Sequence, residues 1–196
     1  MPKTAGSGQA RTLTPEELDA LLDAAPSHTY RALWSVMRFT GSRVSETLAL
    51  RWGVIHSDRI VFRAADTKTQ GSREPMVGAS LREELGAYRE FWTNRRGKAP
   101  QAADLVFPSP RLPGQPLTRA AADLALRTAL KTLGDAFPSG VSLHTFRRSL
   151  ATTMSQRGAS LKTVARFTGH ANLGQLQNYI DVSHATEAAA LAVIDG

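Results

Sequence analysis

Apolar residues recur three and four apart through most of the chain, and the recurrence is broken in two places. Thr14-Pro-Glu-Glu17 is a capping box with proline at the first helical position, and Leu18, Leu21 and Leu22 follow at helical spacing. A second stripe, Tyr30, Leu33, Trp34 and Met37, predicts a helix that Gly41 stops. Arg43 then opens a further helix with Val44 and Leu48 on its apolar side. From Val54 to Val77 the pattern changes to short β-branched runs, Val54-Ile55, Ile60-Val61-Phe62 and Met76-Val77, set between turn-forming residues; these predict two or three antiparallel strands. Ser80-Leu-Arg-Glu83 reads as another capping box, and Leu81, Leu85, Tyr88 and Trp92 carry one long helix to Gly97. Pro100, Pro108, Pro110, Pro113 and Pro116 exclude regular helix from the next stretch, although Leu105-Val106-Phe107 looks directed to the core. Helical periodicity resumes over 118–133, 143–157, 160–168, 172–181 and 184–194. The expected fold is mainly α with a small antiparallel β-sheet.

Composition narrows the class. At 196 residues and 42% hydrophobic content the chain can build one well-cored domain, placed here at 13–196 behind a flexible N-terminal lead over 1–12. A formal net charge of +7 favours a polyanionic partner, nucleic acid first, because Lys and Arg neutralise phosphates and release counterions. The absence of Cys removes disulfides, thiolate chemistry and Cys-based zinc sites, and fits a cytoplasmic protein. No apolar run approaches the roughly 18 residues that span a bilayer.

Several residues carry candidate chemistry. His144 and Arg147 lie three apart at a helix start and project from one face, as either a solvated basic face or a paired site. Arg43 opposes the helix dipole in a first turn, a placement that makes sense if an anion binds there. Glu46, three residues on, either orients a basic partner or forms a surface pair. His170 follows Gly169 at a helix end, and Tyr179 stands at the edge of a stripe formed by Leu173, Leu176 and Ile180. A structural tyrosine is the plain reading of Tyr179 alone. His28, His56 and His184 are assigned to the surface.

Taken in order, Thr40-Gly-Ser-Arg43-Val-Ser-Glu46, Thr67-Lys68-Thr69, His144-Thr-Phe-Arg147 and Gly169-His170 with Tyr179 resemble the tyrosine recombinase family of the phage-integrase type. The resemblance runs from about Leu13 to the end and corresponds to that family's catalytic domain. It implies that Tyr179 is the nucleophile, that Arg43 and Arg147 bind the scissile phosphate, and that Lys68 on a β-turn is the general acid. His144 and His170 would support proton transfer and phosphate contacts. It further implies a covalent 3′-phosphotyrosyl intermediate on double-stranded DNA, self-association on that DNA, and no metal or cofactor. Nothing before residue 13 could form the N-terminal helical domain that usually closes the clamp. Phe146 replaces a usual Leu, Arg148 stands where a second His is frequent, and Arg63 and Arg73 flank the turn that carries Lys68. The helix at 184–194 would pack on its own domain or dock on a neighbouring protomer.

The chemistry explains the residue types. A pentacoordinate phosphorus gathers charge on its non-bridging oxygens, which two rigid guanidinium forks offset better than flexible ammoniums. A tyrosine of pKa about 10 needs nearby cations or a neutral His to lose its proton, and the departing alkoxide needs an acid. The alternatives are type IB topoisomerase activity, which shares this logic, and a DNA-binding relic that does not cut.

Overall fold

The computed structural model describes residues 9–63, 72–170, 174 and 176. Seven α-helices of five residues or more are formed among them: α1 Pro15–Asp23, α2 His28–Thr40, α3 Val44–Leu48, α4 Ala79–Arg96, α5 Arg119–Leu133, α6 His144–Gln156 and α7 Leu161–Thr168. Helix α2 is the hub. It packs against α1, α3, α4 and α6, and Leu33, Trp34, Val36 and Met37 on it are fully buried. Trp34 stacks on Phe146 of α6 with ring centroids 6.1 Å apart, so a large aromatic contact fixes the spacing of these two helices.

Local chemistry sets the helix ends. The Thr14 hydroxyl accepts the Glu17 N–H at 3.2 Å while the Glu17 carboxylate takes the Thr14 N–H at 2.7 Å, which satisfies two otherwise orphaned donors at the start of α1. Gly41 closes α2 in the left-handed conformation at φ 62°, Gly97 closes α4, and Gly169 closes α7 at φ 78°. Helix α4 departs from expectation at its start. It begins at Ala79 with Gly78 as its N-cap and no side-chain cap, so Ser80 lies inside the helix and no capping box forms.

The region read as strands is an antiparallel arrangement of isolated bridges: Ile55 with Ile60, Arg59 with Met76 and Phe62 with Arg73. Val54 is not extended. It ends a 3₁₀ turn over Trp52–Val54, because the Trp52 and Gly53 N–H groups donate outward to Asp104 and Ala102 carbonyls and draw the chain onto the proline-rich connection. That connection is tied inward by Val106 and Phe107, both fully buried, and by the Tyr88 hydroxyl, which donates to the Val106 carbonyl at 2.9 Å. The main core joins α1 to α6, and Ala151, Val164, Ala165 and Leu176 form a second cluster between α6 and α7.

Near its start the chain is held to the body. The Arg11 N–H donates to the Gly140 carbonyl at 3.0 Å, and Arg148 of α6 reaches Thr12 and Gln9.

Gly41 is the point at which the core meets the site, since a Cβ there would lie 3.0 Å from Thr168 and 3.2 Å from Leu150 in an already left-handed conformation. Gly41→Ala is expected to destabilise the fold by roughly 1–2 kcal/mol. Thermal unfolding should register this as a fall in Tm of about 2–8 °C.

Candidate active site

The turn between α2 and α3 is built from hydroxyls. Thr40, Ser42 and Thr47 are fully buried, and each of their donors has a destination. The Ser42 N–H reaches the Thr40 hydroxyl at 3.2 Å, and Thr40 donates to the Val36 carbonyl at 2.6 Å. Ser42 meets Thr47 at 2.6 Å, and Thr47 donates to the Arg43 carbonyl at 3.0 Å. This network presents Arg43 as the N-cap of α3.

Glu46 answers from one turn inside. Its carboxylate is buried, with the side chain 1% exposed, which removes the surface-pair reading. One oxygen accepts the Arg43 guanidinium at 2.7 Å; the other accepts the Arg43 backbone N–H and Arg73 Nη2, both at 3.0 Å. Burial by itself would raise the Glu46 pKa, but the Arg43 backbone N–H and the Arg73 charge outweigh it and hold the carboxyl below its ordinary value.

Two guanidiniums then cross between the same two helix ends. Arg147 Nη1 donates to the Gly41 carbonyl at 2.8 Å and the Thr168 carbonyl at 2.5 Å. Arg73 Nη1 donates to the carbonyls one residue earlier in each segment, Thr40 at 3.1 Å and Phe167 at 3.0 Å. Carbonyls at a helix C-terminus lack intrahelical partners and carry partial negative charge, so the ends of α2 and α7 are natural cation acceptors. Arg147 is 1% exposed, which excludes the solvated basic face for this residue. His144, one turn earlier at the first position of α6, is exposed.

His170 completes the group. Arg147 Nε donates to its Nε2 at 3.3 Å, and its Nδ1 lies 2.7 Å from the Thr168 hydroxyl. Thr168 donates that hydroxyl proton to the Val164 carbonyl at 2.6 Å, so Nδ1 carries the imidazole proton and Nε2 is the acceptor. The ring is therefore neutral. Burial first, then the Arg147, Arg43 and Arg73 charges, push its pKa down to about 3.

The structure thus brings Arg43, Arg147 and His170 together and adds Glu46, Arg73 and Thr168. Lys68 and Tyr179 lie outside the described residues, as do the helices expected over 172–181 and 184–194 except for Gly174 and Leu176, both helical. Arg73 pairs with Phe62 in an antiparallel bridge and is engaged by Glu46 and two carbonyls. The sequence marked Arg73 only as a cation flanking the turn expected for Lys68; its burial and its partners come from the tertiary structure. Among the described residues no group of His, Asp and Glu is placed to hold a metal ion.

Residues 11–186 match the model of the phage integrase family. The chain belongs to that family. Relatives include the tyrosine recombinase XerD of Chlorobaculum tepidum, 32% identical over 186 residues, covering 89% of this chain and 59% of the relative. XerD of Mycobacterium leprae is 30% identical over 194 residues, covering 91% and 58%. The chain spans about half to two-thirds of the length of the curated relatives it matches, 52% of one and 64% of another. Among solved structures, the XerA recombinase superposes with a TM-score of 0.75 at 20% identity over 96% of this chain and 67% of that one. The catalytic domain of bacteriophage HP1 integrase gives 0.64 at 17% identity over 93% and 95%. The fold is the integrase catalytic-domain fold, mainly helical as the sequence predicts.

The neutral His170 has a consequence for stability. Its folded pKa of about 3 lies below the unfolded value near 6.5, so the unfolded chain binds more protons between these limits. The His170 contribution is complete above about pH 6.5 and is lost as pH falls toward 3. Thermal unfolding between pH 7 and 5 should therefore show a smaller acid-induced fall in Tm for His170→Gln than for the parent. An equal fall in both would refute the neutral, desolvated imidazole.

Proposed function

We propose that this family member is a site-specific DNA recombinase or integrase that breaks and rejoins double-stranded DNA through Tyr179, with neither metal nor ATP. The observation that carries this reading is the convergence of Arg43, Arg147 and His170 from three distant segments on the junction of α2, α6 and α7. Three guanidiniums, Arg43, Arg73 and Arg147, face a single carboxylate there, which leaves an excess of positive charge for an anion.

In this reading the scissile phosphate meets Arg43 first, since 21% of that side chain is exposed, and engages the buried Arg147 as DNA binding uncovers it. The Tyr179 oxygen attacks phosphorus, the bond to the 5′ oxygen breaks, and Lys68 protonates the departing oxygen. The guanidiniums offset charge on the non-bridging oxygens. The phosphate's arrival reverses the local field, so the His170 pKa rises and the imidazole becomes able to share a proton beside Arg147. His144, exposed at the start of α6, is placed to meet the phosphate or its leaving group. Because the bond energy is retained in the phosphotyrosine, a second strand's 5′-hydroxyl reverses the step.

Double-stranded DNA is the partner. The net charge of +7 supports it, and solved relatives include XerH bound to its difH substrate and the Tn1549 integrase in complex with circular-intermediate DNA. Strand exchange needs two cleaved duplexes, and we assign self-association on DNA accordingly. The proposed compartment is the cytoplasm, where that DNA resides; no described helix is long and apolar enough to cross a membrane.

Incubation with a pool of nicked duplexes bearing randomised half-sites should trap an SDS-resistant adduct that Tyr179→Phe abolishes. Arg43→Ala and Arg147→Ala are each expected to slow adduct formation by about 10²–10³-fold. An adduct that survives Tyr179→Phe would overturn the assigned nucleophile. Relaxation of supercoiled plasmid without any sequence preference among captured adducts would favour the topoisomerase activity instead.

A further inference from the structure

Arg73 is among the most buried cations of the chain. Its side chain is 7% exposed, and its guanidinium lies over the Phe62 ring at 4.2 Å from the centroid. Burying a guanidinium is costly unless its donors are met, and desolvation here lowers the Arg73 pKa while the Glu46 charge opposes that fall. Its hydrogen bonds go to groups that already define the site. Nη2 takes the Glu46 oxygen that also holds the Arg43 backbone N–H, and Nη1 spans Thr40 and Phe167, the carbonyls next to those held by Arg147.

The connection to the strand pair is equally specific. Phe62 and Arg73 exchange both backbone hydrogen bonds, at 2.9 and 3.0 Å, so the Arg73 backbone is pinned before its side chain extends to α3 and α7. Gly169 is packed so tightly on this side chain that a Cβ would lie 2.7 Å from Arg73 Cδ.

We infer that Arg73 is a positioning residue for phosphate binding: through Glu46 it fixes the Arg43 guanidinium, and through Thr40 and Phe167 it fixes the helix ends that hold Arg147. This inference rests on the cleavage reading above for its kinetic consequence, but not for its geometric one. A displaced guanidinium loses its match to the equatorial oxygens while the many other phosphate contacts of a bound duplex persist.

The experiment compares the full chain with Arg73→Ala, Arg73→Lys and Arg43→Ala on the nicked duplex selected above, and on the same duplex with a neutral methylphosphonate at the scissile position. Arg73→Ala should slow adduct formation by roughly 10–100-fold on the phosphate. Binding of the duplex should stay within about threefold, because it draws on many backbone contacts. On the methylphosphonate, which has less charge for Arg43 to offset, most of the deficit should vanish, as it should for Arg43→Ala. Arg73→Lys, which keeps a cation for Glu46 but cannot bridge both carbonyls, should recover part of the rate and carries the comparison if the Ala variant does not fold. An equal deficit on both substrates, or an Arg73→Ala rate equal to the parent's, would overturn the inference.

A parent that forms no adduct refutes the cleavage reading alone. The NMR signals of the Arg43 Nη1 protons, which Glu46 accepts, then decide the role of Arg73: slow solvent exchange lost in Arg73→Ala supports it, and unchanged exchange overturns it.

Discussion

Two adjacent pairs of helix-terminal carbonyls, Thr40 with Phe167 and Gly41 with Thr168, are each bridged by one guanidinium, and the site depends on that arrangement. Helices α2 and α7 both end in a left-handed glycine, and their unpaired carbonyls face a common space. Without cations there, two partially negative helix ends would oppose one another in a region shielded from water. With Arg73 and Arg147 in place the same carbonyls become rigid acceptors, and they orient the charges that a phosphate would meet. In the proposed function, structure and recognition draw on the same atoms.

The electrostatic design is asymmetric. Glu46 is the one carboxylate in contact with this group among the described residues, and it pairs with Arg43 and Arg73, not with Arg147. Pairing on one side keeps the cluster foldable, while burial first and the surplus charge second keep His170 neutral. A fully neutralised cluster would be easier to bury but would have less to offer a phosphodiester. The Thr168 hydroxyl joins the two sides, since it fixes the His170 tautomer while its own carbonyl holds Arg147.

Membership of the phage integrase family and the superposition on XerA and HP1 integrase place these residues in a scaffold known to tolerate wide sequence change. Identities of 17–32% show that most positions differ between this chain and those relatives. In this chain the site is built from small hydroxyl residues in the turn before Arg43, a glycine at each helix end, and long cations that reach across.

Helical periodicity, capping boxes and terminal glycines determined α1, α2, α4 and α5 to within a residue or two, because those signals act over one or two turns. The ordered Arg, His and Arg boxes marked Arg43, Arg147 and His170 as candidates, and the fold brings these three together. Errors arose where distant chain competes with local preference: Val54 follows the outward donations of Trp52 and Gly53 into a 3₁₀ turn, and α4 begins at Ala79 without the Ser80 cap. The roles of Arg73 and Thr168 were invisible for a related reason. Their importance lies in what they touch across 27, 33 and 21 residues of sequence, and no local pattern encodes a partner at that range. Sequence alone determined which elements form and which side chains could do phosphoryl chemistry. Tertiary structure decided which of those charges are buried, which carbonyls hold them and which imidazole stays neutral, because burial and long-range pairing exist only once the helices have packed.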